Sequence, residues 1–352
     1  MQQQWQSFLS AQGGFFSEGK LIHFGDLEHE LKAIDKQNCI TSLSSEIGLL
    51  RITGPDAKSF LQGQITCNVS TLSSKKSHLG AHCNLKGRMQ SLFSLFANPV
   101  QEPTDFYLKM PAGMLTFATQ SFKKFAIFSK VTFEDMSSKM VAIGLYGPDV
   151  DTILTDTFSV PALDNHECHF LTSEGTAIVC RLPGDHPRYE IFASMETLQT
   201  LWPTLKKQCQ MVTPESWQLL DIRAGLPAVY PRTIDEILPH HANLSILDGI
   251  SYDKGCYIGQ EIIARMQYRG KIKKHMYRAH VESNKLPLPG DAVYVPLASE
   301  EALGLIVRAS HAENGGFELL VVLDDQYASF ENVHLYSADG PKLHRLELPY
   351  KW

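Results

Sequence analysis

Short apolar runs broken by Gly, Pro, Asn and Asp alternate along the chain with stretches of helical spacing, a pattern of strands and helices mixed in one fold. Ile47 to Thr53 reads as a strand, and Gly54-Pro55-Asp56 then opens a helix with Ala57, Phe60 and Leu61 on one face. Proline just inside a helix start, with an acidic residue in the first turn, marks an N-terminus. The same order returns at 143–154, where Gly147-Pro148-Asp149 follows Ile-Gly-Leu-Tyr. The pattern therefore predicts two similar strand–turn–helix units, and hence two related α+β halves.

Between and after these units the β-branched and aromatic runs predict a hairpin at 80–89 and strands at 91–96, 126–133, 177–182 and 189–193. Helices are predicted near Met195–Cys209 and Ser216–Ala224. Residues 1–40 read as a mixed polar and aromatic lead-in broken at Gly13-Gly14, and the proline-punctuated stretch 227–243 as a long irregular loop. A loop of that length within a compact domain is usually functional. Beyond Gly270 short alternating strands follow one another at 271–281, 292–295, 303–309, 317–323 and 332–336, which predicts a small antiparallel barrel or sandwich. The expected division is thus 1–270 and 271–352.

Composition narrows the function classes. With 43% hydrophobic and 20% charged residues the chain is an ordinary globular protein, and a net charge of −6 argues against general electrostatic binding of nucleic acid. The N-terminus lacks a basic segment followed by an apolar one, and no apolar run approaches the roughly 18 residues a membrane helix needs. A soluble, cytoplasmic protein is expected. Seven scattered cysteines without a C-x-x-C pair make neither a disulfide framework nor a structural zinc site, and suit a reducing compartment.

The chemistry concentrates at 253–270, Asp-Lys-Gly-Cys-Tyr-Ile-Gly-Gln-Glu-Ile-Ile-Ala-Arg-Met-Gln-Tyr-Arg-Gly. Tyr257, Ile258, Ile262, Ile263 and Met266 recur at helical spacing, which predicts a helix starting at or near Cys256. A thiol at a helix N-terminus beside Lys254 is in a setting that favours thiolate, and Gln260 and Glu261 add two hydrogen-bonding side chains within a turn of it. A buried structural cysteine is the alternative. His166 and His169 would share a metal only on a helix or turn, because residues three apart on a strand face opposite ways; His240-His241 suits a solvated loop. Arg265 to Arg278 interleaves basic residues with Tyr268 and Tyr277, a mixture that suits RNA, an anionic small ligand or a plain solvated helix end. Trp217 fits a helix core, or a platform for a flat heterocycle.

Lys254-Gly-Cys-Tyr-Ile-Gly-Gln-Glu261 resembles the signature of the YgfZ family, relatives of the aminomethyltransferase (T-protein) of the glycine cleavage system. The resemblance extends from about Ile47 to Tyr350 through Leu61-Gln-Gly-Gln64, Ala81-His-Cys-Asn-Leu-Lys-Gly-Arg88, Phe128-Ser-Lys-Val131 and Trp217 to Pro227. It implies an α+β fold: a folate-binding, aminomethyltransferase-like domain of repeated ferredoxin-like units, followed by a small C-terminal antiparallel β-barrel. It further implies a tetrahydrofolate-type cofactor held by Trp217, Glu190, Gln260, Glu261 and Arg265, with Cys256 as the reactive group, Lys254 as its activator and no resident metal. Glu190 matches the enzyme's folate-side glutamate, whereas Ile47 stands where the family has a second tryptophan, and Arg88-Met-Gln-Ser91 stands where the enzyme has its acidic residues. A site without that proton-handling group is expected to bind the cofactor without the glycine cleavage reaction. The implied function is a monomeric, folate-binding accessory factor for assembly or repair of iron–sulfur proteins, handling a cluster transiently and affecting tRNA modification indirectly. The alternatives are a folate-dependent aminomethyl or one-carbon transferase and a direct tRNA-binding factor.

Overall fold

The computed structural model describes residues 2–73, 75–98, 105–171, 177–296 and 298–351, Arg269 by its backbone only. Three large sheets organise them, beside a two-stranded ribbon of Phe15–Ser17 and Lys20–His23. The first is five-stranded and antiparallel, in the order His78–Cys83, Met89–Asn98, Asp105–Pro111, Ile47–Thr53, Thr132–Asp135. The second has six strands, in the order Cys168–Leu171, Ala177–Leu182, Arg188–Ala193, Val141–Tyr146, Cys39–Ser42, Gln210–Met211, with only the last pairing parallel. The third also has six strands, all antiparallel: His334–Leu335, Ala292–Tyr294, Gly304–His311, Phe317–Asp324, Lys274–Val281, Leu343–Leu346. Its two edges meet at the His334–Lys342 bridge and at Leu343 N donating to Val333 O, 2.8 Å, so the sheet curls on itself as a barrel.

The predicted repeat is a shared piece of geometry. In each unit the strand ends at a glycine in the left-handed half of backbone space, Gly54 at φ 126° and Gly147 at φ 143°. A Cβ on Gly54 would sit 2.2 Å from Lys130 O, and one on Gly147 2.6 Å from the Asn38 Cα, so only glycine lets the turn close against its neighbour. The following aspartates do not cap their helices. Asp56 Oδ2 accepts from Lys130 N at 2.7 Å, and Asp149 is tied to Asn38, whose Oδ1 accepts from Asp149 N at 2.9 Å. The carboxylates thus pin each turn to the loop beside it.

Cores follow from the faces. The Ala57–Gln62 and Leu115–Phe125 helices bury Phe60, Leu61, Ala118 and Phe122 against the first sheet, and this cluster continues into Met276, Val307 and Leu320 of the third. The Val150–Phe158 and Met195–Gln208 helices cover one face of the second sheet. Its other face meets the first sheet through Leu49, Phe96 and Tyr107 on one side and Ala142, Ile178 and Phe192 on the other, with Trp217, Leu219 and Leu220 of the Pro214–Arg223 helix closing the end. Two α+β units packed face to face, with a barrel across the seam, define the architecture.

Three expectations are corrected. Residues 1–40 are built in: the Gln2–Ala11 helix buries Trp5 and Leu9, and Cys39–Ser42 is an inner strand of the second sheet. The run 126–133 is a turn rather than a strand, with Ile127 76% and Phe128 99% exposed, and the strand begins only at Thr132. The 227–243 stretch is irregular as expected, with short helical turns at Pro231–Thr233 and Pro239–Ala242, yet it is packed, with Thr233, His240 and Asn243 buried. Asn243 fastens it to the barrel by donating to Met276 O at 2.8 Å and accepting from Met276 N at 3.1 Å. His240 accordingly is no solvated loop side chain; burial pushes it down to about 4, and its Nε2 lies 3.1 Å from Tyr252 Oη.

Candidate functional site

Where the two units and the barrel converge they enclose a cavity of about 310 Å³, and a smaller one of about 70 Å³ adjoins it. The larger lies at the size where small-molecule sites begin. Its walls mix apolar side chains (Leu79, Phe96, Leu182, Leu226) with Lys109, Glu190, Asp221 and Arg308. Each charge comes from a different element: Lys109 from Asp105–Pro111, Glu190 from Arg188–Ala193, Asp221 from the Pro214–Arg223 helix and Arg308 from Gly304–His311. The pairings are tight. Lys109 Nζ donates to Glu190 at 3.1 Å, and Asp221 accepts from Arg188 Nη2 at 2.8 Å on one oxygen and from Arg308 Nη1 at 2.9 Å on the other. Burial pushes the Asp221 carboxyl up, but Arg308 and Arg188 outweigh it and hold it below its ordinary value.

Trp217 is buried at the wall of the smaller cavity, together with Ile47, Lys109, Asp221 and Arg308. The Arg188 guanidinium lies over its ring at 5.2 Å, and Gly144 passes so close that a Cβ there would stand 2.6 Å from Cε3 and Cζ3. Trp217 Nε1, Arg188 Nη1 and Arg308 Nε are buried without a hydrogen-bond partner among the described residues. An unpaired buried donor costs about 1–3 kcal/mol. Two of the three, on Trp217 and Arg308, belong to residues in the walls of these adjoining cavities, where Glu190, Asp221 and Lys109 also stand, a polar lining whose complement is a ligand carrying both donors and acceptors. A folate, with a flat ring bearing both acceptors and N–H donors, fits that set.

The remaining expected residues lie elsewhere. Cys256, Lys254, Gln260, Glu261 and Arg265 line neither cavity. The helix carrying the last three starts at Gln260, after Gly259 at φ 82°, so Cys256 sits in the loop ahead of it rather than at its N-terminus. Glu261 and Arg265 are exposed on that helix. Lys254 is turned inward: its ammonium donates to Ile65 O at 2.7 Å and Cys67 O at 2.8 Å and rides 5.0 Å over the Tyr257 ring, and burial pushes it down to about 8. It anchors the cysteine loop. Cys256 is the exposed one of seven cysteines, the other six being buried.

Three of the basic residues in 265–278 are tied into the barrel. Arg278 pairs with Glu318 at 2.6 Å, His275 with Asp325 at 2.8 Å, and Lys274 donates to Leu303 O. Lys109, Asp221, Arg188 and Arg308 were not singled out from the sequence, because nothing local marks an arginine that meets its aspartate from another sheet.

A family description, the GCVT N-terminal domain, matches residues 12–247. The chain is 32% identical to the "tRNA-modifying protein YgfZ" of Photobacterium profundum, over 94% of this chain and 98% of that protein. It is 30% identical to that of Photorhabdus laumondii over 86% and 90% respectively. Among solved structures, the glycine cleavage system aminomethyltransferase T of Bartonella henselae superposes with a TM-score of 0.79, covering 97% of this chain and 95% of that one at 14% identity, a likeness of fold.

Proposed function

The chain belongs to the YgfZ family of tRNA-modifying proteins, built on the GCVT N-terminal domain, and from that membership we propose a cytoplasmic, monomeric, folate-binding accessory factor that supports iron–sulfur proteins and, through them, tRNA modification. The observation that carries the reading is the pair of adjoining cavities with Glu190 and two residues bearing unpartnered donors, Trp217 and Arg308, on their walls. When bound, a tetrahydrofolate supplies a carrier of one-carbon units. The chain's own residues would hold it: Glu190 accepting from ring N–H groups, Trp217 and Arg308 donating to its acceptors, and Leu79 and Phe96 covering its flat faces.

Binding without turnover is the expected balance. Of the two buried carboxylates of the cavity wall, Asp221 is bridged by Arg188 and Arg308, which hold it below its ordinary value, and Glu190 accepts from Lys109, so the oxygens of both are already engaged and neither stands free to serve a reacting nitrogen. Arg88, in the segment where the transferase has acidic residues, donates to Glu236 O at 2.6 Å instead. This weighs against the aminomethyltransferase alternative. The pairing of Arg278 with Glu318 and the turning of the Lys274 ammonium to Leu303 O weigh against direct tRNA binding.

Cys256 is the second half of the reading. Among the described residues no three His, Cys, Asp or Glu lie where they could hold a metal ion together, so these residues offer no ligand set for a resident cluster. An exposed cysteine can still meet the cluster of another protein, its sulfur serving as a temporary ligand to iron. Lys254 would act as a positioning residue, fixing the loop through the Ile65 and Cys67 carbonyls. In cells lacking the protein, the Cys256→Ser variant is expected to leave iron–sulfur enzyme activities unrestored while accumulating as folded protein. Full restoration by that variant would remove the thiol from the mechanism.

A further inference from the structure

Cys168 and Cys180 stand directly opposite each other on neighbouring antiparallel strands. The preceding pair is closed by Arg181 N donating to Glu167 O at 2.8 Å, while Cys168 N turns outward to Lys75 O at 2.7 Å. The cysteines therefore occupy a non-hydrogen-bonded cross-strand position, where Cα atoms approach to about 4.5 Å. That falls inside the range of about 4.4–6.8 Å that a disulfide tolerates. Their Sγ atoms are 2.7 Å apart although both residues are free thiols, closer than two non-bonded sulfurs rest. Cys180 also lines the larger cavity beside Glu190 and Lys109, which puts a small polar molecule in that cavity next to this residue.

We propose that Cys168 and Cys180 form a redox-active dithiol in the cavity wall, which a peroxide entering the cavity converts to an intramolecular disulfide. Cys180 Sγ attacks one peroxide oxygen, the O–O bond breaks, and the departing oxygen leaves as water with the thiol proton. Cys168 Sγ then attacks the resulting sulfenic sulfur, the S–O bond breaks, and the oxygen leaves as a second water with the Cys168 proton. Two thiols and one peroxide give one disulfide and two waters, with two electrons passing from sulfur to oxygen. Burial, reinforced by Cys168, holds the Cys180 thiol well above its ordinary value, so the reaction is slow and answers sustained rather than brief oxidation. Because Cys168–Leu171 is the edge strand of its sheet, the new bond would lock that edge and stiffen the cavity wall. The inference stands apart from the identity of the cavity's ligand.

The test uses the full-length protein, reduced, freed of reductant and held in hydrogen peroxide, then alkylated in denaturant and mapped by mass spectrometry. The expected result is a Cys168–Cys180 linked peptide with the loss of two hydrogens, both sulfurs protected from alkylation, and the same link in a Cys256→Ser background that removes the surface thiol. Cys168→Ser and Cys180→Ser should each abolish it; if either fails to fold, the wild-type map decides. Full alkylation of both cysteines after Cys256 has been completely oxidised, or a link from either to a different cysteine, would overturn the proposal.

Discussion

Replacing Asp221 by alanine tests the electrostatic centre of the cavity. Its two oxygens accept from Arg188, whose side chain is fully buried, and from Arg308, 13% exposed. Removing the shared anion leaves two guanidiniums facing each other in a dry wall. Deleting one partner of a buried pair costs about 3–5 kcal/mol, a large share of the roughly 5–15 kcal/mol that holds a typical domain together. Asp221→Asn keeps the shape and one acceptor, so its loss should be smaller; Arg308→Met leaves the Asp221–Arg188 pair intact and should cost less again. Urea unfolding at pH 7.5 should show the midpoint falling in that order at constant slope. The pH dependence carries a sign. A carboxyl held below its ordinary 3.8 contributes its full stability at neutral pH and loses it as pH falls through its lowered folded value. The gap between wild type and Asp221→Ala should therefore persist to pH 5 and close only in stronger acid. An Asp221→Ala protein within about 1 kcal/mol of wild type at pH 7.5 would refute the reasoning.

Other perturbations follow from single contacts. Gly144→Ala places a methyl 2.6 Å from the Trp217 ring, an overpacking that should cost about 1–3 kcal/mol and shift tryptophan fluorescence. His82 is buried, stacks on Phe122 at 4.6 Å, and is pushed by burial from 6.5 to about 4. The unfolded chain therefore takes up its proton first, and wild type should lose up to about 3 kcal/mol between pH 6.5 and 4. His82→Phe, which keeps the stack, should flatten that part of the pH–stability curve; an unchanged curve would contradict the assignment. Lys254→Met strands the Ile65 and Cys67 carbonyls, which should cost about 1–3 kcal/mol and speed proteolytic cutting within residues 252–258.

How far the sequence carries depends on whether the governing interaction is local. Gly54-Pro55-Asp56 and Gly147-Pro148-Asp149 were legible because the turn writes its own requirement into three residues. The barrel strands were legible because alternation against one core leaves a period of two. The run 126–133 was misread because β-branched and aromatic residues describe a strand only when a partner covers them, and Ile127 and Phe128 have no cover. The Trp5–Leu9 spacing in the first helix was readable and passed over. At the site, Trp217 and Glu190 came through a family likeness, whereas the Asp221–Arg308 pair joins residues 87 apart and leaves no trace in either neighbourhood. The likeness also grouped Gln260, Glu261 and Arg265 with the cofactor, and the fold places them on a helix outside both cavities.

The central claim is that the paired cavities hold a folate. Calorimetric titration of tetrahydrofolate into the wild type and into Trp217→Ala and Glu190→Gln tests it most directly. The account predicts saturable binding at one site per chain, weakened at least tenfold, about 1.4 kcal/mol, by either substitution and unaffected by Cys256→Ser. Absence of binding to the folded wild type, or binding indifferent to both cavity substitutions, would contradict it.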